Sequence, residues 1–170
     1  MPTHITEEMQ AAVGGLLARR VSFPIAASDI RRWAIAVYHP GPPPAGFWDE
    51  EAAARSRHCG IVAPEEFNPF AWMTAEPSGP QDVDRTDPDL TEKALGIDGP
   101  GLKFQLNAGL EVEYHERMRP GDVITAERRL AGYREREGRL GLMLFTTVEE
   151  TWTNQAGGLV KVLRQTGIRY

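Results

Sequence analysis

With 170 residues, 41% of them apolar and 25% charged, the chain has the make-up of one globular domain long enough to bury a real core. A formal net charge of -5 excludes the basic footprint of a nucleic-acid or anionic-membrane binder. The one cysteine, Cys59, rules out an internal disulfide and points to a reducing compartment. The four histidines lack metal-ligand spacing, so neither a metal nor a cofactor is expected.

In chain order, residues 1–20 read as an N-terminal extension with a short helix that places Met9, Val13, Leu16 and Leu17 on one side. Acids precede the apolar run there, and Gly14 and Gly15 break it. The segment is read as neither a signal peptide nor a membrane span, and a cytoplasmic protein is expected. Val21–Ile25 looks extended. Ser28 is placed to cap a helix over Asp29–Val37, whose Ile30, Trp33, Ala34 and Val37 recur at helical spacing. The proline-rich stretch 38–44 stops it. Asp49, Glu50 and Glu51 open a second short helix, acids first as the helix dipole prefers.

The stretch Cys59–Met73 is the organising segment of this reading. Ile61, Val62 and Ala63 form an apolar entry, and Pro64 suits a first helical turn. Glu65 and Glu66 follow, and Phe67, Phe70, Ala71 and Trp72 supply an apolar helix body. Pro69 is expected to kink that helix or mark its true start. Residues 74–103 read as a long loop insert with a short helical piece at Asp89–Leu95, and a loop of this length suggests a functional role or mobility.

The last third reads as strand. Leu110, Val112 and Tyr114 alternate with polar residues, and Arg119-Pro120-Gly121-Asp122 has the Pro-Gly pair of a type II turn. Leu140, Leu142, Leu144, Thr146, Val148 and Trp152 share one face, with Glu150 the exception. A turn at Asn154–Gly158 leads to a final strand, so an antiparallel meander of three long strands follows. One buried helix wrapped by that sheet is the architecture these patterns predict.

Four segments resemble the MaoC-type enoyl-thioester hydratase/dehydratase family, and its N-terminal-half branch in particular. They are Asp29-Ile30-Arg31-Arg32-Trp33-Ala34, Trp48-Asp49-Glu50-Glu51-Ala52, Gly60-Ile61-Val62-Ala63-Pro64, and Glu111-Val112-Glu113-Tyr114-His115 running through Arg119-Pro120-Gly121-Asp122. The resemblance covers roughly residues 20–170. It implies an α+β hot-dog fold in a single domain spanning 1–170, paired with a second hot dog as a homodimer or heterodimer. It implies an acyl-CoA or acyl-carrier thioester as ligand, in fatty acid or steroid metabolism.

In the family an Asp and a His in the pattern Asp-x-Asn-Pro-x-His move the protons of one water, and helix-end amides polarise the thioester carbonyl. This sequence departs from that pattern. His39 stands in the aspartate's place, Gly41 replaces the asparagine, and Phe47 or Trp48 falls where the histidine would be. Ala63-Pro64 replaces the usual His-Gly, and Pro64 has no N–H to give a thioester carbonyl. Asn107 replaces a further histidine.

The expected function is therefore the degenerate half of an (R)-type 2-enoyl-thioester hydratase/dehydratase. Ile61, Val62, Ala63, Pro64, Glu65, Phe67, Asn107 and Gly109 would bind ligand, while a partner brings Asp and His. Two alternatives stay open. One is a non-catalytic acyl-thioester binding protein. The other is a homodimeric enzyme with altered chemistry, either thioester hydrolysis through Glu65 or Glu66 or hydration through His39. Structural readings compete at each position: a turn histidine at His39, a helix N-terminus at Asp49–Glu51, dipole-favoured acids at Glu65 and Glu66, and core packing for Phe67 and Trp72.

Overall fold

The structure, a computed structural model, describes residues 3–71, 76–77, 84 and 86–170. Its centre is an antiparallel sheet with strand order β2-β1-β4-β5-β6-β3. The strands are β1 (Leu16–Val21), the two-residue β2 (Glu76–Pro77), β3 (Gln105–Tyr114), β4 (Thr125–Gly138), β5 (Gly141–Thr153) and β6 (Leu159–Arg169). Short helices α1 (Glu7–Ala11), α2 (Ala27–Tyr38), α3 (Glu50–Ala54) and α4 (Leu90–Ala94), with a 3-10 turn at Ala45–Phe47, make up the rest of the regular structure.

The predicted meander is present, with β3 added on the far side of β6. The Arg119–Asp122 turn closes through Asp122 N–H to Arg119 C=O at 3.1 Å, with Gly121 at φ +91° where a side chain would be strained. Glu150, the odd residue on the apolar face, accepts from Arg20 at 2.6 Å and from the Trp152 indole at 2.7 Å. Its charge is thereby matched by a residue 130 positions away.

Three readings change. The N-terminal helix ends at Ala11, and Leu16 and Leu17 belong to β1, where they join the sheet. Helix α2 starts at Ala27, so Ser28 lies inside it instead of capping it. Residues 61–71, read as the central helix, carry turns. The reason is local: a proline at 69 disfavours helical backbone at Asn68. Asn68 closes an Asx turn instead, its Oδ1 accepting from Phe70 N at 2.9 Å. Phe67 N–H bonds to Pro64 C=O, and Ala71 N–H to Asn68 C=O, each a tight turn. Trp72 and Met73, the remainder of that reading, lie outside the described residues, as do residues 74–75, 78–83 and 85 of the long loop.

Two covers lie on one face of the sheet. At one end, α2 and residues 61–70 bury Ile30, Ala63, Phe67 and Phe70 against Met118, Ile124, Ala126 and Trp152. At the other, α4 is tied down by charge. Arg169, 3% exposed, donates to Glu92 at 2.7 and 2.9 Å, to Asp89 at 2.9 Å, to Pro88 C=O and to Thr146 Oγ. Glu92 is fully buried and also accepts from the Tyr133 hydroxyl at 2.7 Å. Burial first, then Glu92, holds the Tyr133 phenol far above its ordinary pKa. Gly99 is required here, since a Cβ at that position would stand 2.3 Å from the Asp89 carboxyl carbon.

Breaking a buried ion pair leaves an uncompensated charge. Arg169→Met is therefore expected to lower unfolding free energy by about 3–5 kcal/mol. Tyr133→Phe removes one hydrogen bond to a charged group and is expected to cost about 1.5–3 kcal/mol. Urea denaturation followed by far-UV circular dichroism checks both. A parent-like midpoint for Arg169→Met would show that α4 is held by something else.

Candidate functional site

One row of residues crosses five strands on the covered face of the sheet. The strand registers set Arg20 opposite Ala126, Ala126 opposite Trp152, Trp152 opposite Lys161, and Lys161 opposite Tyr114. Side chains directly opposite on paired strands share a face, so these five form a continuous band. Residues 61–70 lie over it. Phe70 meets the Trp152 ring edge-on at 5.1 Å, with the Arg20 guanidinium 4.5 Å from the Phe70 ring centre. Ala63 N–H bonds to Met118 C=O at 2.8 Å, which pins the segment to the loop after β3.

This cover brings the two candidate glutamates to the band and engages both. Glu65 pairs with Arg117 at 2.8 Å, and Arg117 also reaches Ala63 C=O. Glu66 accepts from the Tyr114 hydroxyl. Each carboxylate is therefore already engaged by a donor within the chain. His58 sits just upstream. Its backbone carbonyl accepts from Arg119 at 2.7 Å, and its ring nitrogen takes a bond from Arg57 at 3.2 Å. Partial burial, then the guanidinium groups of Arg57, Arg117 and Arg119, hold its imidazole below the ordinary histidine value, which favours the neutral ring.

Lys161 is the unexpected member of the site. It is 4% exposed, and its ammonium rests 4.0 Å from the Trp152 ring centre and 5.6 Å from that of Tyr114. Burial pushes its pKa below the ordinary lysine value, against the opposing pull of Glu66 and Glu150. Its sequence setting, Val160-Lys161-Val162, conceals this, because an alternating strand would turn the lysine to solvent. The clue lies in the turn at Asn154–Gly158, which sets Lys161 across from Trp152 to within one residue.

The remaining candidates fall in two other places. Ile61, Val62, Ala63, Pro64 and Phe67 belong to the cover itself, with all but Ile61 buried, and Phe67 meets Trp33 edge-on at 5.8 Å. His39, Gly41 and Trp48 share an exposed turn after α2, where Gly41 N–H bonds to Tyr38 C=O and the Trp48 indole to Pro43 C=O at 3.2 Å. Asn107 and Gly109 lie on exposed β3, with Gly109 N–H bonded to the Asn107 side chain at 3.1 Å. Asn107 lines a cleft of about 380 Å³ with Arg128, Gln165 and Thr91. Its sheet partner Gly167 is six residues of β6 beyond Lys161, or about 20 Å. The structure therefore gathers Ala63–Phe67 with Tyr114 and Lys161, and leaves Asn107, Gly109 and the His39 turn outside that group. Asp49 caps α3 through Oδ1 to Ala52 N at 3.0 Å, as the helix-start reading expects. Among the described residues there is no metal-binding group of three or more His, Cys, Asp or Glu, and no helix long and apolar enough to cross a membrane.

The lowered pKa of Lys161 has a sign that can be checked. Between its folded value and the ordinary 10.5, the unfolded chain binds more protons than the folded one. Stability then rises with pH through that window. The difference in unfolding free energy between the parent and Lys161→Met is expected to move in the parent's favour as pH climbs toward 10.5. Denaturation curves across that range measure it, and a flat difference would contradict the burial cost.

Comparison with known proteins places this geometry. A family model described as "FAS1-like, dehydratase domain region" matches residues 11–163. Curated protein sequences give no match. Among solved structures, the ChsH1-ChsH2 complex from Mycobacterium tuberculosis superposes with a TM-score of 0.65 at 20% identity, covering 95% of this chain and 87% of that one. A MaoC-like dehydratase from Rhodospirillum rubrum gives 0.55 at 23% identity, over 94% and 92% of the two chains. The (R)-hydratase from A. caviae, involved in PHA biosynthesis, gives 0.53 at 17% identity, over 91% and 94%. At these identities the structures speak to the fold, and the family match covers most of the chain. The protein belongs to the FAS1-like dehydratase-domain family and carries the MaoC-like hot-dog fold.

Proposed function

We propose that this chain is the ligand-binding half of an (R)-type 2-enoyl-thioester hydratase/dehydratase, with the catalytic Asp and His supplied by a partner hot-dog subunit. The observation that carries this reading is the turn after α2. Where the family pattern calls for Asp-x-Asn-Pro-x-His, the chain has an exposed His39-Pro40-Gly41 turn, and Pro64 has no N–H at the position of the usual carbonyl donor. The acids nearest the site, Glu65 and Glu66, already hold Arg117 and Tyr114. That favours ligand binding over a self-sufficient hydratase or thioesterase.

Two surfaces support a partner. Strand β3 is the sheet's edge, ten residues long and exposed over most of its length. Leu106 and Leu110 are more than half exposed there, and Phe104 just precedes it, equally open. A long edge strand free of proline that leaves two leucines open to solvent invites pairing. Around the His39 turn, Ile35, Val37, Tyr38 and Trp48 are also exposed. A second hot dog covering these residues would bring its own Asp and His to the ligand. The solved complexes of ChsH1-ChsH2 and HadBC, both from Mycobacterium tuberculosis, are pairings of this general kind by their names.

Turnover of crotonyl-CoA, followed by loss of enoyl absorbance, tests the reading. Activity is expected when the chain is co-expressed with a hot-dog subunit bearing Asp-x-Asn-Pro-x-His, and at least a hundredfold less from the chain alone. Comparable activity from the chain alone would overturn it. A double substitution, Leu106→Lys with Leu110→Lys, puts charge on the open edge and is expected to convert an assembled particle to monomer in light scattering, with the circular dichroism spectrum unchanged. An unaltered mass would move the interface away from β3.

A further inference from the structure

Buried charges in folded proteins are normally paired, because removing an ammonium from water costs several kcal/mol before any partner is found. Lys161 departs from that rule. It is 96% buried by its 4% exposure, yet among the described residues no carboxylate forms an ion pair with it, and its close neighbours are the faces of Trp152 and Tyr114. Glu150, two residues from Trp152 on β5, is already taken by Arg20 and the Trp152 indole. Glu66 is held by Tyr114. Aromatic faces attract a cation but do not accept its hydrogen bonds as an oxygen does.

The surroundings indicate where a missing oxygen would sit. A small pit of about 10 Å³, lined in part by Ala63, Pro64, Glu65, Tyr114, Arg117 and Lys161, has room for one oxygen-sized group. Pro64 contributes no donor to it. We infer that Lys161 is a ligand-binding residue of this chain, its ammonium taking the thioester carbonyl oxygen of the acyl ligand in place of the backbone N–H that Pro64 lacks. The inference rests on the acyl-thioester reading above and assigns the contact that fixes the ligand's reactive end. The aromatic faces hold the lysine stem in place, so the ammonium is oriented before ligand arrives. A cation at this oxygen also stabilises the negative charge that gathers there when water adds to the double bond.

The test compares two probes on the purified chain by titration calorimetry: crotonyl-CoA, and S-(but-2-enyl)-CoA, a thioether in which the carbonyl is a methylene. The parent is expected to bind the thioester at least tenfold more tightly than the thioether. Lys161→Met keeps the stem over Trp152 and is expected to bind both probes equally, at the parent's affinity for the thioether. Lys161→Arg is expected to restore part of the preference. With a carbon-13 carbonyl, the C=O stretch of bound crotonyl-CoA is expected at lower frequency in the parent than in Lys161→Met. A parent that binds both probes equally, or a Lys161→Met variant that keeps the preference, overturns the inference and leaves the acyl-thioester reading in place. Binding of neither probe by the parent overturns both. A variant that loses thermal stability while keeping the tenfold preference assigns Lys161 a structural role only, which also overturns the inference.

Discussion

An antiparallel sheet with an apolar face must cover that face, and everything else in this molecule follows from how that is done. The cover here has little regular structure of its own. At one end it consists of turns over residues 61–70, packed by Phe67 and Phe70 on Trp152 and Ile124. At the other it is the five-residue helix α4, too short to hold itself together by backbone bonds alone. Arg169 makes up the difference. Its guanidinium reaches two acids, a carbonyl and a hydroxyl, and so joins α4 and the preceding loop to β5 and β6.

The same physics acts differently at the two ends. Around Arg169 every buried polar group has a partner, which makes that end a rigid structural joint. Around Lys161 the acids are diverted to Arg20, Arg117 and Tyr114, and the lysine is left with aromatic faces. An end with satisfied charges suits a joint. An end with a buried cation that no carboxylate among the described residues pairs, under a cover made of turns, suits a ligand. Stability and binding thus occupy opposite ends of one sheet, about 26 Å apart along the eight residues of β6 from Lys161 to Arg169.

The sequence made the sheet legible because each strand carries its own pattern. Leu142 through Val148 is an almost continuous apolar and β-branched run, and the Arg119–Asp122 and Asn154–Gly158 turns announce themselves through Gly121, Gly157 and Gly158. The cover was harder. Phe67, Phe70 and Ala71 have helical spacing, but a turn packed on a sheet can show the same spacing, and Pro69 with the Asn68 side chain decides for the turn. The charge partners were invisible for a different reason. Arg169 and Glu92 lie 77 residues apart, and Arg20 and Glu150 lie 130 apart, so no local pattern links them. Of the site, Ala63–Glu66 was legible through resemblance. Lys161 was not, because a single lysine between two valines in a strand looks like an ordinary solvent-facing residue.

The central claim is that this chain binds an acyl thioester without transforming it. The most direct measurement is to follow the chain's tryptophan fluorescence during titration with crotonyl-CoA, then recover the ligand and analyse it by chromatography. The account predicts a saturable change, since Trp152 lies under the site, with crotonyl-CoA recovered unaltered. Recovery of 3-hydroxybutyryl-CoA or free CoA from the chain alone, or the absence of saturable binding, would contradict it.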